Sequence, residues 1–488
     1  MRNLLFEKNR IVVLIALITP LLAMIIMMLT QGLWFNRISI SCSMWNDELI
    51  YYKQVEGMLD YGNPIGYYGY SESHAAIGTY GAWGPVVLMP FMLFGKIFGW
   101  TTASPIIANL LFVTVALVLF AVMFKPSIIQ QMFISLIYIS YGIATRYIVS
   151  STPESILLAL AFIYCILTYK VILEEDNLGM RIVAYILMFY ITAARGYYAI
   201  FSLMMMAALL KRRKIAELLI QAVSLLVAVL VFFYVVGNYC APYFGSTLDT
   251  SVLTNVNAIM AMMVEGMRQT ISLMKSALFV NDTLRGSWYV AYFVLGIVLL
   301  IAFAIKRNLY TFTSILMWMV LILAMWILYN PQEGARQLMN CTLIGLIFIT
   351  YILDTNIFSN VLKGCIVLSM LYIFWFSSDS FYVDLPAKND KLVAEMKEQN
   401  LSELMPVDAE PWNNTVIWTL TCPFDELYAL PSGFGINCCY DDFVISYFDY
   451  VQSKYIAVGK DGDVDYYLQN MGYQAIAEYG SIKIYSIR

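Results

Sequence analysis

Long apolar segments recur along most of the chain and are the feature that most restricts its fold. A helix needs about 20 mainly apolar residues to cross roughly 30 Å of hydrocarbon. Segments that meet or approach this length lie at 11–30, 105–124, 127–145, 155–172, 182–195, 197–210, 215–237, 288–305, 310–329, 338–354 and 361–376. We therefore predict an α-helical polytopic membrane protein with about eleven transmembrane helices.

The composition agrees with a membrane protein and excludes one class of partner. Of the 488 residues, 61% are apolar and 13% are charged, whereas a soluble domain usually carries about twice that share of charge. The net charge is −4, and binding to nucleic acid requires a basic face that neutralises phosphates. We expect membrane lipids around the chain and no nucleic acid partner.

Basic residues in short loops predict the orientation. The strongest cluster is Lys211-Arg212-Arg213-Lys214, and Lys125, Lys170 and Lys306-Arg307 fall on the same side, as do the basic residues of the N-terminus. Lys and Arg collect on the cytoplasmic side of membrane proteins. The N-terminus is therefore expected in the cytoplasm, and an odd number of spans places the C-terminus outside. The short loops favour a bacterial cell membrane.

Two outside loops, 31–104 and 238–287, are long. Each contains an amphipathic stretch, at 84–100 in the first loop and at 256–278 in the second. Amphipathic segments of this kind lie in the plane of the membrane interface. We predict interfacial segments at both positions.

The composition changes at residue 376, which predicts a membrane module at 1–376 and an extracytoplasmic α/β domain at 377–488. Charged and polar residues return there, and Gly480 marks a hairpin turn. Short alternating runs predict strands at 415–420, 454–458, 475–478 and 481–485, with helices at 390–398 and 464–471. About 110 residues suffice for a domain with its own core.

The eight cysteines show no spacing typical of zinc. Cys438 and Cys439 are adjacent, and Cys422 lies nearby in the C-terminal domain. In an oxidising compartment these residues allow a disulfide, and buried thiols explain them equally well.

Two adjacent acids follow the first apolar segment, in the stretch Trp45-Asn46-Asp47-Glu48. Tyr51 and Tyr52 come next, at helical spacing. Acidic residues favour the first turn of a helix, so a solvated helix start is one explanation. A carboxylate just outside the membrane is also suited to general base catalysis.

The arrangement resembles the GT-C superfamily of membrane glycosyltransferases, particularly the branch of the protein mannosyltransferases and aminoarabinose transferase. That branch has an acidic motif in its first outside loop, here Asp47-Glu48 followed by Tyr51. An interfacial segment ending in a Phe-Gly turn follows, here Phe98-Gly99. The chain has Trp83-Gly84-Pro85 where the family often has His-Pro-Pro.

Three further motifs are similar to the superfamily. Thr152-Pro153-Glu154 precedes a span where relatives have a Thr-Asp pair, and Thr192 to Gly196 resembles a Thr-Lys/Arg-Gly turn. Glu333 to Arg336 precedes a span where relatives carry Arg-Tyr. A soluble domain after the last span is also common in the superfamily.

The resemblance implies roles for individual residues. Asp47, with Glu48, is the candidate catalytic acid pair, and Asp47 is the base that takes the proton of the acceptor hydroxyl. Arg195 and Arg336 are the candidate phosphate-binding residues, because a guanidinium forms paired hydrogen bonds to phosphate. Glu154 is a candidate second acid. Alternative explanations are snorkelling for Arg195 and a plain loop position for Arg336.

A divalent metal such as Mg or Mn is left open, because some members of the superfamily use one. Asp47 and Glu154 are the residues that would hold it. His74 is the single histidine, and without a second ligand nearby it is a weak candidate.

The predicted function is an inverting glycosyltransferase that moves a sugar, a hexose or a pentose, from a polyprenyl-phosphate donor to a glycan, lipid or protein acceptor at the outer face of the membrane. The main alternative is a transporter or flippase of cell-envelope glycans, and a third is an anchoring protein. Transporters usually show internal repeats and ionisable residues at mid-depth. Here no matching halves are found, and the ionisable residues gather at the outer ends of the spans.

Overall fold

The computed structural model describes residues 2–30, 46–62, 80, 83–173, 176–240, 255–280, 284–328, 331–376, 401–423, 426–427 and 430–488. The side chain of Asp47 is outside this description, although its backbone is included. His74 and the predicted helix at 390–398 also lie outside the described residues, as does the stretch that follows residue 376. The division of the chain at that residue stays a prediction.

The first half of the chain is a series of helices. They are α1 (Arg2–Thr30), α2 (Asn46–Tyr61), α3 (Pro85–Phe98), α4 (Ser104–Phe124), α5 (Ile128–Ser140), α6 (Gly142–Ile148), α7 (Glu154–Leu173), α8 (Leu178–Ala194), α9 (Ser202–Lys211) and α10 (Ile215–Tyr239). A 3-10 turn, Gly196–Phe201, precedes α9. Pro126 and Ser127 separate α4 from α5, and Ser127 caps α5 through a reciprocal bond with Gln130.

The helical part continues with α11 (Val256–Phe279), α12 (Leu284–Lys306), α13 (Leu309–Leu328), α14 (Leu338–Ile352) and α15 (Ile357–Leu371). A helical turn, Pro331–Gly334, and a 3-10 turn, Ala335–Gln337, lead into α14. A π-helical turn, Tyr372–Phe376, extends α15.

The predicted polytopic membrane fold is confirmed. In the described part of the chain eight helices are long and apolar enough to span a membrane, and α5 and α6 form a ninth candidate that bends by 73°. The remaining two predicted segments correspond to shorter apolar helices, Leu178–Ala194 and Gly196–Lys211. Each apolar stretch of the sequence analysis thus contains helix in its described part.

Aromatic rings fill the bundle interior, whereas aliphatic side chains cover its outside. Phe120 packs on Phe124, Phe162 and Phe348 at centroid distances of 4.7 to 5.5 Å. Leucine, isoleucine and valine residues of α10 are largely exposed at the surface of the isolated chain. This pattern is typical of a bundle whose outer surface contacts lipid.

The two predicted amphipathic segments are helices, α3 and α11. Helix α11 packs on α12 and α13, and Gly286 of α12 lies under its backbone. Met260, Val264 and Ile271 form an exposed apolar face of α11, as expected of a helix at the membrane interface.

The C-terminal domain contains a five-stranded sheet with strand order β2-β1-β3-β5-β4. The strands are β1 (Thr415–Thr419), β2 (Gly435–Cys439), β3 (Tyr455–Gly459), β4 (Ala475–Tyr479) and β5 (Ile482–Ser486). The first three are parallel, and β5 joins β3 and β4 in antiparallel pairs. Strand β2 was not predicted. It is buried on both faces, as β1 is. Its Gly435 and Asn437 are residue types that are depleted in strands, whereas β1 consists of threonine, valine, isoleucine and tryptophan.

The sheet separates two apolar layers. On one face α16 (Asp441–Ser446) and α17 (Asp463–Asn470) cover a core that includes Ile417 and Leu468. On the other face Val416 and Trp418 join the large core that continues into the membrane module. The domain is therefore packed against the helical part of the protein.

The cysteines in the described part of the chain are free thiols. Cys422, Cys438 and Cys439 are buried. Of the two explanations that the sequence left open for these residues, the structure has the buried thiols.

Candidate active site

Charged side chains from distant parts of the chain meet at one end of the bundle. Glu154 lies in the first turn of α7, and Lys170 lies in its last turn, at the opposite end. Lys306 of the last turn of α12 binds Asp354 at 2.8 Å at that opposite end. The end with Glu154 also carries the start of α2, the end of α6 and the segment before α14.

Glu48 forms a buried pair with Arg146. The Arg146 Nη1 atom lies 2.5 Å from Glu48 Oε1, and the Ser150 hydroxyl donates to the same oxygen at 2.7 Å. The Ser151 hydroxyl donates to the main-chain carbonyl of Glu48. These bonds fix the first turn of α2 on α6 and on the segment between α6 and α7.

The segment between α6 and α7 is attached to α4 by the side chain of Asn109. The Asn109 amide nitrogen of α4 lies 3.1, 3.0 and 2.7 Å from the carbonyl oxygens of Tyr147, Ile148 and Ser150, so its two N–H groups are shared among these three acceptors. The carbonyl of Pro153 accepts from the backbone N–H of Leu157 as α7 begins, and proline is suited to a helix start. The chain direction before α7 is thereby fixed.

Glu154 forms a second buried pair with Arg195. Their closest atoms lie 2.8 Å apart, and Arg336 Nη1 lies 3.7 Å from the same Glu154 oxygen. Arg195 has extended backbone where α8 ends, and its guanidinium lies 4.9 Å from the centre of the Trp83 ring. One segment before α14 and one after α8 thus contribute cations to one carboxylate.

Tyr147 joins the two pairs. The Arg146 guanidinium lies 4.9 Å from the centre of its ring, and the Arg336 guanidinium lies 5.9 Å from it, which are cation–π distances. We call Glu48, Arg146, Glu154, Arg195 and Arg336 the carboxylate–arginine cluster. Three guanidiniums and two carboxylates leave these five residues with one positive charge in excess.

The cluster is unequally accessible. The Arg336 side chain is 26% exposed, whereas those of Arg195 and Glu154 are 2% and 1% exposed. Arg336 is therefore the arginine of the cluster most accessible to a ligand. Among the described residues, Glu48 Oε2, Glu154 Oε2 and Arg195 Nε are buried and have no hydrogen-bond partner.

The structure brings together most of the site residues that the sequence analysis selected. Glu154, Arg195 and Arg336 converge. Glu48 is linked to them indirectly, because its partner Arg146 and Arg336 both lie near the ring of Tyr147. Asp47 is in the first turn of α2, next to Glu48 in the chain, and its role stays a prediction because its side chain is not described. Arg195 does not snorkel to a surface, since it is 1% exposed.

Arg146, Tyr147 and Ser150 are site residues that the sequence analysis did not select. A signal for them exists in the sequence, because Ser150, Ser151 and Thr152 form a polar run between apolar segments. Polar side chains at such positions need buried partners.

The described residues do not fit a metal site. Glu154, one of the two residues expected to hold a metal, already pairs with Arg195 and faces Arg336, so a cation bound there would oppose two positive charges. Among the described residues no three His, Cys, Asp or Glu side chains group closely enough to hold a metal ion.

No protein-family model and no curated protein sequence matches this chain. It is similar to solved structures of low sequence identity. The Archaeoglobus fulgidus oligosaccharyltransferase in complex with Zn and sulfate is 11% identical, with a TM-score of 0.45 over 90% of this chain and 68% of that chain. ArnT from Cupriavidus metallidurans bound to undecaprenyl phosphate is 10% identical, with a TM-score of 0.42 over 96% of this chain and 97% of that chain.

The same ArnT in the apo state is 9% identical, with a TM-score of 0.39 over 94% of this chain and 96% of that chain. The oligosaccharyltransferase and ArnT both belong to the GT-C superfamily, which is the superfamily that the sequence motifs of this chain resemble.

Proposed function

We propose that this protein is a membrane glycosyltransferase that transfers a sugar from a polyprenyl-phosphate donor to an acceptor hydroxyl. The observation that carries the proposal is the carboxylate–arginine cluster, which lies at one end of an apolar bundle with one arginine partly exposed. The names of the similar solved structures agree with this class of reaction.

The cost of burying these charges favours a functional site. At the centre of a membrane helix an arginine or an acid costs about 2.5–3.5 kcal/mol on insertion scales, and ionisable residues buried in membrane proteins usually serve a function. A buried ion pair is weak evidence for stability, because desolvation offsets much of the attraction. A packed apolar end would be a simpler way to close the bundle.

Arg336 is the residue we assign to the phosphate of the donor lipid. Its guanidinium is partly exposed and its planar donor set matches two phosphate oxygens. Arg195 is the second phosphate-binding candidate, and its pairing with Glu154 holds it beside Arg336. The partly exposed guanidinium of Arg336 favours an anionic head group.

The transfer we propose is a direct displacement. The acceptor hydroxyl oxygen bonds to the anomeric carbon while the bond from that carbon to the phosphate oxygen breaks. Asp47 takes the hydroxyl proton as the base, and the polyprenyl phosphate leaves with its charge against Arg336. A single displacement inverts the anomeric configuration. Glu154 is a candidate second acid, and in the structure it orients the two arginines.

The outer face of the cell membrane is the side we assign to the cluster. Lys170, Lys214 and Lys306 lie at the opposite end of the bundle, where Lys214 pairs with Asp176. Basic residues favour the cytoplasmic side. The acceptor is then a glycan, lipid or protein of the cell envelope.

The test uses the purified full chain in nanodiscs with synthetic short-chain polyprenyl-phosphate sugars, each carrying one hexose or pentose. A cell-envelope extract supplies acceptors, and release of polyprenyl phosphate is measured. We expect acceptor-dependent release with at least one donor. Absence of release with every donor, together with donor movement across acceptor-free proteoliposomes, would identify a flippase instead.

Two variants test the assigned residues. Arg336→Ala should lower kcat/KM about 100-fold or more, because the leaving phosphate loses its cation. Asp47→Asn should abolish transfer while the protein stays folded, since a general base contributes about 10²–10⁴-fold. Arg268→Ala is the matched control, because Arg268 is an exposed arginine of α11 whose side chain is 82% exposed. An active Asp47→Asn protein would contradict the assignment of the base.

A further inference from the structure

We infer that the C-terminal domain is a positioning unit for the reaction, which holds α2 so that Asp47 and Glu48 stay at the carboxylate–arginine cluster. This inference rests on the proposed function, and it gives the domain a role in catalysis through contacts far from the reacting atoms. The residues that act are positioning residues: Lys53, Asp60 and Tyr61 on α2, and Leu430, Ser432 and Gly433 on the domain.

The middle of α2 is bound to the domain by a buried lysine. Lys53 is 8% exposed, and its ammonium donates to the Leu430 carbonyl at 2.5 Å and to Glu56 at 2.6 Å. A buried ammonium needs such partners, because an unpaired one carries a large desolvation cost. The contact is therefore a specific attachment between two parts of the chain that are 377 positions apart.

The end of α2 is bound by Ser432 and Gly433, which follow Leu430 in the loop before β2. The Ser432 hydroxyl donates to Asp60 at 2.5 Å, and the Tyr61 hydroxyl donates to the Ser432 carbonyl at 3.4 Å. Gly433 has φ +95, and an added Cβ would lie 2.8 Å from the Tyr61 ring. Only glycine fits both this backbone conformation and this distance.

The loop that carries these contacts is fixed to the sheet. Phe434 packs on Tyr455 of β3 at a centroid distance of 5.8 Å, and β2 begins at Gly435. The inner face of the sheet shares its apolar core with the membrane module. The domain therefore presents the loop on a rigid support.

The other end of α2 is the part that reaches the cluster. Glu48 is bonded to Arg146, Ser150 and Ser151, and between the two ends the Trp100 indole donates to the Tyr52 carbonyl at 3.2 Å. Helix α2 has 16 residues, a length of about 24 Å. Because a helix is stiff over this length, a shift at Asp60 moves the first turn, and a displacement of 1 Å at a reacting group can cost 10²-fold in rate.

The test measures α2 directly and the reaction separately. Gly433→Ala is made in the full chain, and hydrogen exchange is followed in peptides of 46–62 and of the five strands. We expect faster exchange in α2, and a fall in kcat of about tenfold or more with donor KM changed less than threefold. Gly472→Ala is the matched control, because Gly472 also has positive φ in the same domain but has nothing within 4 Å.

A cross-link provides the rescue. Asp60→Cys with Ser432→Cys is added to Gly433→Ala, and oxidation should restore protection of α2 and kcat, with reduction reversing both. Should Gly433→Ala also unfold the sheet, seen as faster exchange in the strands, Lys53→Met takes its place as the deciding variant. Unchanged exchange in α2 and unchanged kcat would overturn the inference. If the unmodified protein transfers no sugar, the proposed function fails, and the exchange data alone decide whether the domain holds α2.

Discussion

Glu154 and Arg195 show how strongly single residues of this site depend on one another. Both are buried, and each provides the nearest opposite charge for the other at 2.8 Å. Arg336 is farther from Glu154, at 3.7 Å, and reaches the surface. Removing one partner of a buried pair leaves an uncompensated charge, whereas the pair as a whole contributes little net stability.

Glu154→Gln should destabilise the folded protein by about 3–5 kcal/mol, because the Arg195 guanidinium loses its counter-charge in an apolar environment. Thermal unfolding of the detergent-solubilised protein measures the effect. Glu265→Gln is the control, since Glu265 forms a 3.8 Å pair with Arg268 on the surface, and exposed pairs contribute about 0–1 kcal/mol. Equal melting temperatures for the two variants would contradict the importance of the buried pair.

At the scale of elements, close approach of helices depends on glycine. Gly266 of α11 faces the Trp326 side chain, and Gly286 of α12 lies under α11. Only a residue without a side chain allows the α11 and α12 backbones to come this near. Helix α11 is thereby fixed to the bundle.

Gly286→Ala should destabilise the packing of α11 on α12 by about 1–3 kcal/mol, because the new Cβ would lie 2.1 Å from the Leu273 carbonyl oxygen. Thermal unfolding and hydrogen exchange of α11 check this. Gly364→Ala, in a helix with nothing within 4 Å of the new Cβ, should be neutral or slightly stabilising. Unchanged exchange in α11 of the Gly286→Ala protein would contradict the prediction, because it would show that the added methyl group does not weaken the packing of α11 on α12.

At the scale of the whole molecule, the protein combines a membrane bundle with a C-terminal domain that contains a buried carboxylate, that of Asp465, bonded to several donors. Asp465 of α17 is buried and accepts from Lys483, from the backbone N–H of Asp461 and from Gln469 at 2.8, 2.9 and 2.8 Å. Burial alone would raise the pKa of Asp465, but these bonds and that of Tyr485 lower it to about 2.

The pKa of Asp465 predicts acid sensitivity of the C-terminal domain. Because the folded pKa lies below the unfolded value near 3.9, the stabilisation is complete above about pH 4 and is lost as the pH falls through about 2. Pepsin cleavage of the domain in the full chain, measured between pH 4 and pH 2, should accelerate as the pH falls. Asp465→Asn should be cleaved faster at pH 4 and show a weaker pH dependence. An identical pH dependence in both proteins would exclude Asp465 as the cause.

The elements of this fold were predictable because their signals are local. Apolar length identified the spanning segments, and alternation identified β1, β3, β4 and β5, since both signals are read within about 20 residues. Strand β2 was missed because Gly435 and Asn437 weaken its local strand signal. Strand β1 is equally buried, but it consists of strand-forming residues.

Local sequence patterns predicted a helical membrane protein with an α/β domain, and the motifs selected Glu48, Glu154, Arg195 and Arg336 as site residues. The sequence did not determine which charges pair. Arg146 meets Glu48 across 98 positions, and Arg195 meets Glu154 across 41. Such pairings are decided by how helices pack, because side chains that are distant in sequence become neighbours only when the apolar faces between them are buried. The attachment of the C-terminal domain to α2 could not be predicted for the same reason, because Lys53 and Leu430 are 377 positions apart in the sequence.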